Sequence, residues 1–569
     1  MKLFPKSLLA TIFVLVLSYW AIKSLFVPGF FPSHDDTAPA RVYEMAKALS
    51  YGQFPVRWVP DLGYGFGYPL FNFYAPLPYY IGGFFNLAGF SSIASTKIMF
   101  TIGILLAGIS MYFLIREVVG NIAALVSGII YLYSPYHAVN IYVRGAVDEY
   151  YAYGFLPLFF LGIYKIIAKK EFKKGILIGS LGFAGILLSH NILGLITGYF
   201  IAVGLVFYFI WSLLRRKSFQ VFYILLGTVS LGFGLSSFFI VPALVEKNYT
   251  QVEKLTQNGS DFHNHFVYLD QLWNSPWGYG GSTSGREDGM SFKIGKLHLL
   301  FGLASFVLFL FFLRKTMHKN GLSYLSYSSI VVLIISVFLM LAPSSFVWEL
   351  LPGFPYIQYP WRFLNFVIFS LSMLASFIFL PLKKPYLSVA AAAGIIFLIL
   401  WFNIKYFVPR EYLSLQDEDY TSSLNLRYKI SKVSDEYLPT LFPPVIAPSE
   451  TAQESLSSTL GVVVKTDVDY PTFKKYELRV SQPTSLVTNI AFFPGWQAFI
   501  DGKKVNILDN RGRIELPLPS GQSQLTLIFK DTLVRIVANT ISVFSIFLLV
   551  YVSLFWKGLS YGKKKFEQN

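Results

Sequence analysis

Residues 192–217 read ILGLITGYFIAVGLVFYFIWSLLRRK. Nothing between Ile192 and Leu214 carries a charge, and Arg215-Arg216-Lys217 follows at once. About 20 apolar residues in a helix cross a bilayer core, so this stretch predicts a span ending in basic headgroup contacts. Comparable runs at about 7–27, 97–115, 120–135, 150–167, 175–189, 219–244, 297–313, 324–342, 361–381, 386–407 and 533–556 predict a polytopic helical membrane protein of about twelve spans. Composition agrees. Only 14% of the 569 residues are charged while 54% are hydrophobic, against roughly 25% charged in an ordinary soluble domain. A globular interior has no room for that much apolar surface.

The net charge of +16 could signal a polyanion partner, so its placement decides. With Met1 inside, the inner loops collect Lys2, Lys6, Arg116, Lys165, Lys169, Lys170, Lys173, Lys174, Arg215, Arg216, Lys217, Arg314, Lys315, Lys319, Lys383, Lys384, Lys557, Lys563, Lys564 and Lys565. Only Glu117, Glu171 and Glu567 oppose them. That accounts for the whole excess as positive-inside topology in the cell membrane, with both termini cytoplasmic. Nucleic acid is not an expected partner. Residues 76–90 are apolar but short and carry Pro76, Pro78, Gly82 and Gly83. Counted as a span they would invert every later loop, so they read as interfacial or re-entrant. The first segment has no small-residue cleavage site and reads as a retained anchor.

The long polar segments then share the outer face. They are loops 28–96, 136–149, 245–296 and 343–360 of a transmembrane domain at 1–407, and a mainly β extracytoplasmic domain at 408–532. The last span and a basic tail occupy 533–569. Val462–Asp467, Lys475–Ser481, Ser485–Phe492, Gln497–Ile500, Lys504–Leu508, Arg513–Leu516 and Gln524–Phe529 are strand-like runs separated by turn residues such as Asp501-Gly502, which suggests a β-sandwich. Residues 414–460 read as irregular. Trp496 is a sugar platform or a core residue. With no cysteine in the chain, thiol chemistry and disulfides are excluded. Gly63-Tyr64-Gly65-Phe66-Gly67 lacks the strand–helix context of a dinucleotide fingerprint.

Chemistry concentrates at the outer face. His34-Asp35-Asp36-Thr37 follows the first span. Its carboxylates suit a general base or oxygen ligands for a divalent cation such as Mg or Mn; they equally suit the cap of the amphipathic helix that follows. Arg41 lies one turn into that helix, and Arg57 follows. Arg144, Asp148 and Glu149 sit in the second outer loop, His190 between two apolar spans, and Gln358 and Arg362 where another span opens. For His190 the alternative is a helix-packing hydrogen bond; for Arg362 it is snorkelling to headgroups. Acids and arginines on one face suggest a phosphate-containing, lipid-borne substrate.

The anchor, the acidic pair opening the first outer loop, the amphipathic helix and the terminal outer domain resemble the GT-C superfamily of membrane glycosyltransferases. More narrowly, the chain resembles the YfhO-like membrane proteins, some labelled "6-pyruvoyl-tetrahydropterin synthase-related". The matching pieces are His34-Asp35, Arg41, Gln53–Trp58, Gly65–Tyr80, Arg144–Glu149, Ser189-His190-Asn191, Ser275–Gly281, Asp288–Phe292, Gln358–Leu364 and Phe493–Lys503. The pterin label is not an activity here, since that soluble enzyme uses a cysteine. The resemblance implies an inverting transfer from a polyprenyl-phosphate sugar to an envelope glycan or lipid acceptor. In it Asp35, or its rival Asp36, is the base or holds a metal, and Arg41, Arg144 and Arg362 receive the leaving phosphate. Membrane lipids are the other partners. A lipid or polysaccharide transporter and a non-catalytic envelope scaffold are the alternatives.

Overall fold

The computed structural model describes residues 6–308, 310 and 322–556. Lys2, Arg314, Lys315, Lys319, residues 309 and 311–313 of the stretch 297–313 and the basic tail with Lys557, Lys563, Lys564, Lys565 and Glu567 lie outside the described residues, as does the side chain of Lys6. Every apolar stretch contains a helix: α1 (Lys6–Leu17), then, after the outer helices α2 (Ala38–Ser50) and α3 (Leu77–Leu87), α4 (Ser92–Val118), α5 (Asn121–Leu132), α6 (Val147–Tyr164), α7 (Phe172–Ser189), α8 (Asn191–Leu214), α9 (Gln220–Val245), α10 (Lys296–Leu308), α11 (Leu322–Met340), α12 (Leu364–Ala375), α13 (Pro385–Asn403) and α14 (Leu533–Leu554). By length and composition 8 of the described helices can cross a membrane alone, or up to 10 if each of two bent pairs counts as one span. The expectation of about twelve spans therefore counts the two bent pairs and two shorter helices, Ala10–Phe26 and Lys296–Leu308, as crossings.

The bends have local causes. α5 turns by 48° into Pro135–Val143, where Pro135 has no N–H to continue the ladder and the Ser134 hydroxyl accepts from His137 N. Further along, Leu325–Met340 and Ala342–Leu350 meet at 96°, beside Pro343. Small residues set the close contacts between helices. Gly162 of α6 faces Gly179 of α7 so tightly that a Cβ on Gly162 would run into the Gly179 backbone, while one on Gly179 would press on the Thr228 methyl group of α9. Residues 76–90 form a short helix, α3, rather than a span. Its Gly82 and Gly83 let Val42 and Met45 of α2 pack directly on its backbone, which explains the two glycines.

The β region has eight strands: β1 (Val462–Asp469), β2 (Phe473–Val480), β3 (Thr484–Ala491), β4 (Trp496–Ile500), β5 (Lys503–Val505), β6 (Leu508–Asn510), β7 (Arg513–Leu518) and β8 (Gly521–Phe529). They form an antiparallel sheet of order β1-β2-β8-β4-β5 and a second of order β3-β7-β6. Alternate residues, among them Tyr476, Leu478, Leu486, Ile514, Leu516, Leu525 and Leu527, are buried between them. Trp496 belongs to this core: Trp58, from the first outer loop, and Phe529 lie 5.5 and 5.4 Å from it and from Trp58 respectively. Residues 408–461 hold only short helical turns and run as a strap over the other polar loops. Leu413 bridges to Phe30 and Pro439 to Thr250, and the Asp417 carboxylate accepts from Ser92 N and Ile93 N at the start of α4, a favourable place for negative charge. All the long polar segments thus meet at one end of the helical bundle.

Candidate functional site

The site grows from the reversal between α5 and α6. A π-turn at Val139–Val143 ends in Arg144, and Gly145 turns the chain at φ +67°, pressed so close to Ser33 that a side chain would collide. This brings Arg144 back onto the first turn of α6, which opens with Asp148 and Glu149. Arg144 Nη1 donates to Glu149 Oε2 at 2.7 Å and to Asn140 Oδ1 at 2.6 Å, and the guanidinium lies 4.6 Å over Trp361.

Glu149, fully buried, is the hub. Its Oε1 accepts from Tyr136 Oη (2.8 Å), Asn365 Nδ2 (2.8 Å) and Asn140 Nδ2 (3.3 Å). Arg362 Nε approaches Oε2 at 3.5 Å. Arg362 is buried and tied inward, its Nη1 donating to Ile357 O (2.8 Å) and Gln358 Oε1 (3.2 Å); it does not snorkel. Gln358, at φ +64° and ψ −47°, is the centre of a γ-turn closed by Tyr359 N on Ile357 O at 2.6 Å. This is the strained hand of that turn, and such strain persists where surroundings over-determine it. Here the Gln358 side chain spans Leu255 O and Arg362.

His190 breaks the α7–α8 boundary. Its Nδ1 accepts from Leu193 N at 2.9 Å, so the ring proton sits on Nε2, which faces Asp148 Oδ2 at 3.5 Å. Both nitrogens are occupied: the histidine caps a helix and orients Asp148. Asp148 in turn is within electrostatic reach of Asp35, Glu149, Arg144 and Arg41, which places all five in one cluster.

The acidic pair divides. His34 N and Asp35 N donate to Val143 O and Arg144 O, zipping this loop onto the reversal, and His34 Nε2 meets Tyr279 O at 3.1 Å. Asp36 accepts from Tyr420 of the strap at 2.8 Å, and burial pushes its carboxyl up against the opposing pull of that hydroxyl. The half-buried Asp35 carboxylate has no hydrogen-bond or ion-pair partner among the described residues. Arg41 is buried 4.0 Å over the Tyr74 ring and forms no ion pair among the described residues. No three His, Asp or Glu side chains converge as a cation site among the described residues; a Mg or Mn ion here would take oxygen from Asp35 or Asp36 and from the substrate phosphate.

Arg57 goes elsewhere. Its guanidinium meets Asn72 Oδ1, Phe238 O, Asn539 Oδ1 and Asp531 Oδ1. Glu246, buried beside it, accepts from Asn72, Thr532 and Arg535. This network fastens α14 to α9 and the first outer loop, and Arg57 has no contact in it with the Asp35–Glu149 cluster. Sequence reading missed Glu246 and Arg535, although opposite charges at the ends of two apolar runs were a visible signal. It missed Asn140 and Asn365 as well, two amides inside otherwise apolar helices. In the third outer loop, His263, His265 and Asp288 bond within the loop or to Glu349.

Residues 71–407 match the family described as "6-pyruvoyl-tetrahydropterin synthase related domain; membrane protein". The chain belongs to that family. The match covers the second half of the first outer loop, the Arg144–Glu149 reversal, His190 and the Gln358–Arg362 turn. A relative, an uncharacterized protein of Lactococcus lactis subsp. cremoris, is 26% identical over 318 residues, 54% of this chain. The chain matches 50% of that relative's length. Among solved structures, the Archaeoglobus fulgidus oligosaccharyltransferase in its apo form is similar at 14% identity and TM-score 0.49, over 80% of this chain and 62% of its own. The mycobacterial arabinofuranosyltransferase AftD is similar at 14% identity and TM-score 0.42, over 72% of this chain and 27% of its own.

Proposed function

We propose that this family member is an inverting glycosyltransferase, moving a sugar from a polyprenyl-phosphate donor to a cell-envelope acceptor on the outer face of the cytoplasmic membrane. The observation that carries this reading is the unpartnered Asp35 carboxylate in one electrostatic cluster with Asp148, Arg41 and Arg144, to which Glu149 joins the buried Arg362. Such an arrangement offers a base and an oxyanion site within one cluster of side chains.

In the proposed reaction Asp35 takes the proton of an acceptor hydroxyl as its oxygen attacks the anomeric carbon. The bond from that carbon to the phosphate oxygen breaks on the opposite side, and its electron pair leaves with polyprenyl phosphate. Arg144 and Arg362 meet Glu149 through Nη1 and Nε respectively; Glu149 is therefore a positioning residue that holds both guanidiniums. Their remaining N–H groups and Arg41 are the donors for the phosphate. Asp36, held by Tyr420, steadies the loop, and His190 orients Asp148.

The test is incubation of the purified protein with radiolabelled polyprenyl-phosphate sugars and membrane acceptors, reading donor binding and transfer separately. Binding with transfer supports the reading. Binding without transfer, coupled to movement of the lipid-linked sugar across a vesicle, supports a transporter. Absence of both across the panel supports a scaffold.

A further inference from the structure

Where α10 begins and α13 ends, three lysines gather around an aromatic wall. Lys293 Nζ lies 4.3 Å from the centre of the Tyr406 ring and 5.6 Å from that of Trp277. Lys405 Nζ is 5.3 Å from Tyr406, and Lys296 Nζ is 5.3 Å from Trp273. The Trp277 and Tyr406 rings themselves stand 4.6 Å apart. Arg57, Arg144, Arg362 and Arg535 all have carboxylates; none of these three lysines forms an ion pair or hydrogen bond among the described residues. Like charges held together oppose one another. Burial, then Lys405 and Lys296, pull the Lys293 ammonium down to about 8. The buried Trp277 indole N–H also lacks an acceptor, and a buried donor without a partner is costly. The missing partner is an anion.

Its surroundings specify the kind. From this cluster α10 presents exposed Leu300 and Leu303, and α13 presents exposed Phe397 and Trp401, apolar flanks at the depth where acyl chains lie. We propose that Lys293, Lys296 and Lys405 bind the phosphate of an anionic membrane lipid, whose chains run along these two helices. The site is distinct from the Asp35–Glu149 cluster and does not depend on the transferase reading. It borders that cluster, since Tyr279 touches His34 and packs edge-on against Trp277.

The experiment uses the full-length protein in nanodiscs of phosphatidylcholine with and without phosphatidylglycerol, and native mass spectrometry to count retained lipid. Wild type should retain phosphatidylglycerol selectively. Lys293→Gln/Lys405→Gln should weaken that affinity about thirty-fold, two lysine contacts at about 1 kcal/mol each. Lys293→Arg/Lys405→Arg, which preserves charge, should restore most of it and shows that loss is not misfolding. Equal retention by wild type and the glutamine variant would overturn the site. So would saturation of the cluster by inorganic phosphate with no preference for phosphatidylglycerol, which would make its ligand a soluble phosphate.

Discussion

Glu149→Gln is the substitution for which the geometry predicts most. The carboxylate takes three neutral donors on Oε1, from Tyr136, Asn140 and Asn365, and faces two guanidiniums on Oε2. An amide of the same shape serves only one side. With its oxygen toward the three neutral donors, its NH2 points at Arg144 Nη1, which stands 2.7 Å from Oε2 in the native protein. Turned over, it confronts three donors instead. Either way two buried guanidiniums lose their counter-charge, and breaking a buried pair from one side costs about 3–5 kcal/mol. That is a large share of a typical stability of about 5–15 kcal/mol. Denaturant unfolding in detergent, followed by tryptophan fluorescence, measures it. The double variant Glu149→Gln/Arg362→Gln should lose less than the sum of its parts, by about 0.5–3 kcal/mol, because one stranded charge is gone. A Glu149→Gln protein within about 0.5 kcal/mol of wild type, the range of an ordinary surface change, would refute the hub.

Asp35→Asn should cut transfer about 10²–10⁴-fold, while Asp36→Asn, whose amide oxygen can still accept from Tyr420, should leave turnover near normal; the reverse pattern moves the base to Asp36. Arg362→Lys should weaken donor binding in nanodiscs although it keeps its charge, since an ammonium cannot reproduce the fork that reaches Ile357, Gln358 and Glu149 together; equal affinities for Arg, Lys and Ala at 362 would remove it from the donor site. Glu44, buried in α2, has its carboxyl held well above the ordinary glutamate range by burial first and then by the Asp61 charge. Its contribution is full below the ordinary glutamate range and lost as pH rises through the raised folded value, so Glu44→Gln should flatten the decline in stability with rising pH, and an unchanged profile would count against it. Single cysteines at the exposed Ser423 and Ser218 test the orientation: an impermeant reagent on intact cells should label only the former.

What the sequence could reveal followed from how local each signal was. An apolar run such as 192–214 needs no partner to be recognised, and strands between turns such as Asp501-Gly502, both at positive φ, are nearly as self-contained. Charged residues are different, because their roles depend on distant segments. Arg57 looked like a substrate ligand among other arginines, yet Asp531 and Asn539, more than four hundred residues away, decide what it does. Asp36 stands in the sequence as the close rival of Asp35, and only the strap, which delivers Tyr420 to Asp36, separates them. Trp496 was open between sugar platform and core until Trp58 arrived from the first outer loop to cover it.

The charge count of the cluster bears on the proposed reaction itself. Asp35, Asp148 and Glu149, with Glu436 also within reach of Arg41, face Arg41, Arg144 and Arg362, so the cluster holds no excess of positive charge before any ligand enters. A sugar phosphodiester adds one negative charge. As the glycosidic bond breaks, the departing phosphate gains another, which in a weakly screened pocket would be costly. In the same step the proton from the acceptor reaches Asp35 and cancels one. The total inside the pocket therefore stays constant across the transfer, and the arginines need only follow charge moving from the carboxylate to the phosphate. This gives Asp35→Asn a second signature. Being neutral from the start, it removes one negative charge that repels the phosphate, so the inactive variant should bind the phosphate donor at least as tightly as wild type. A base that also carried the donor would lose binding and turnover together.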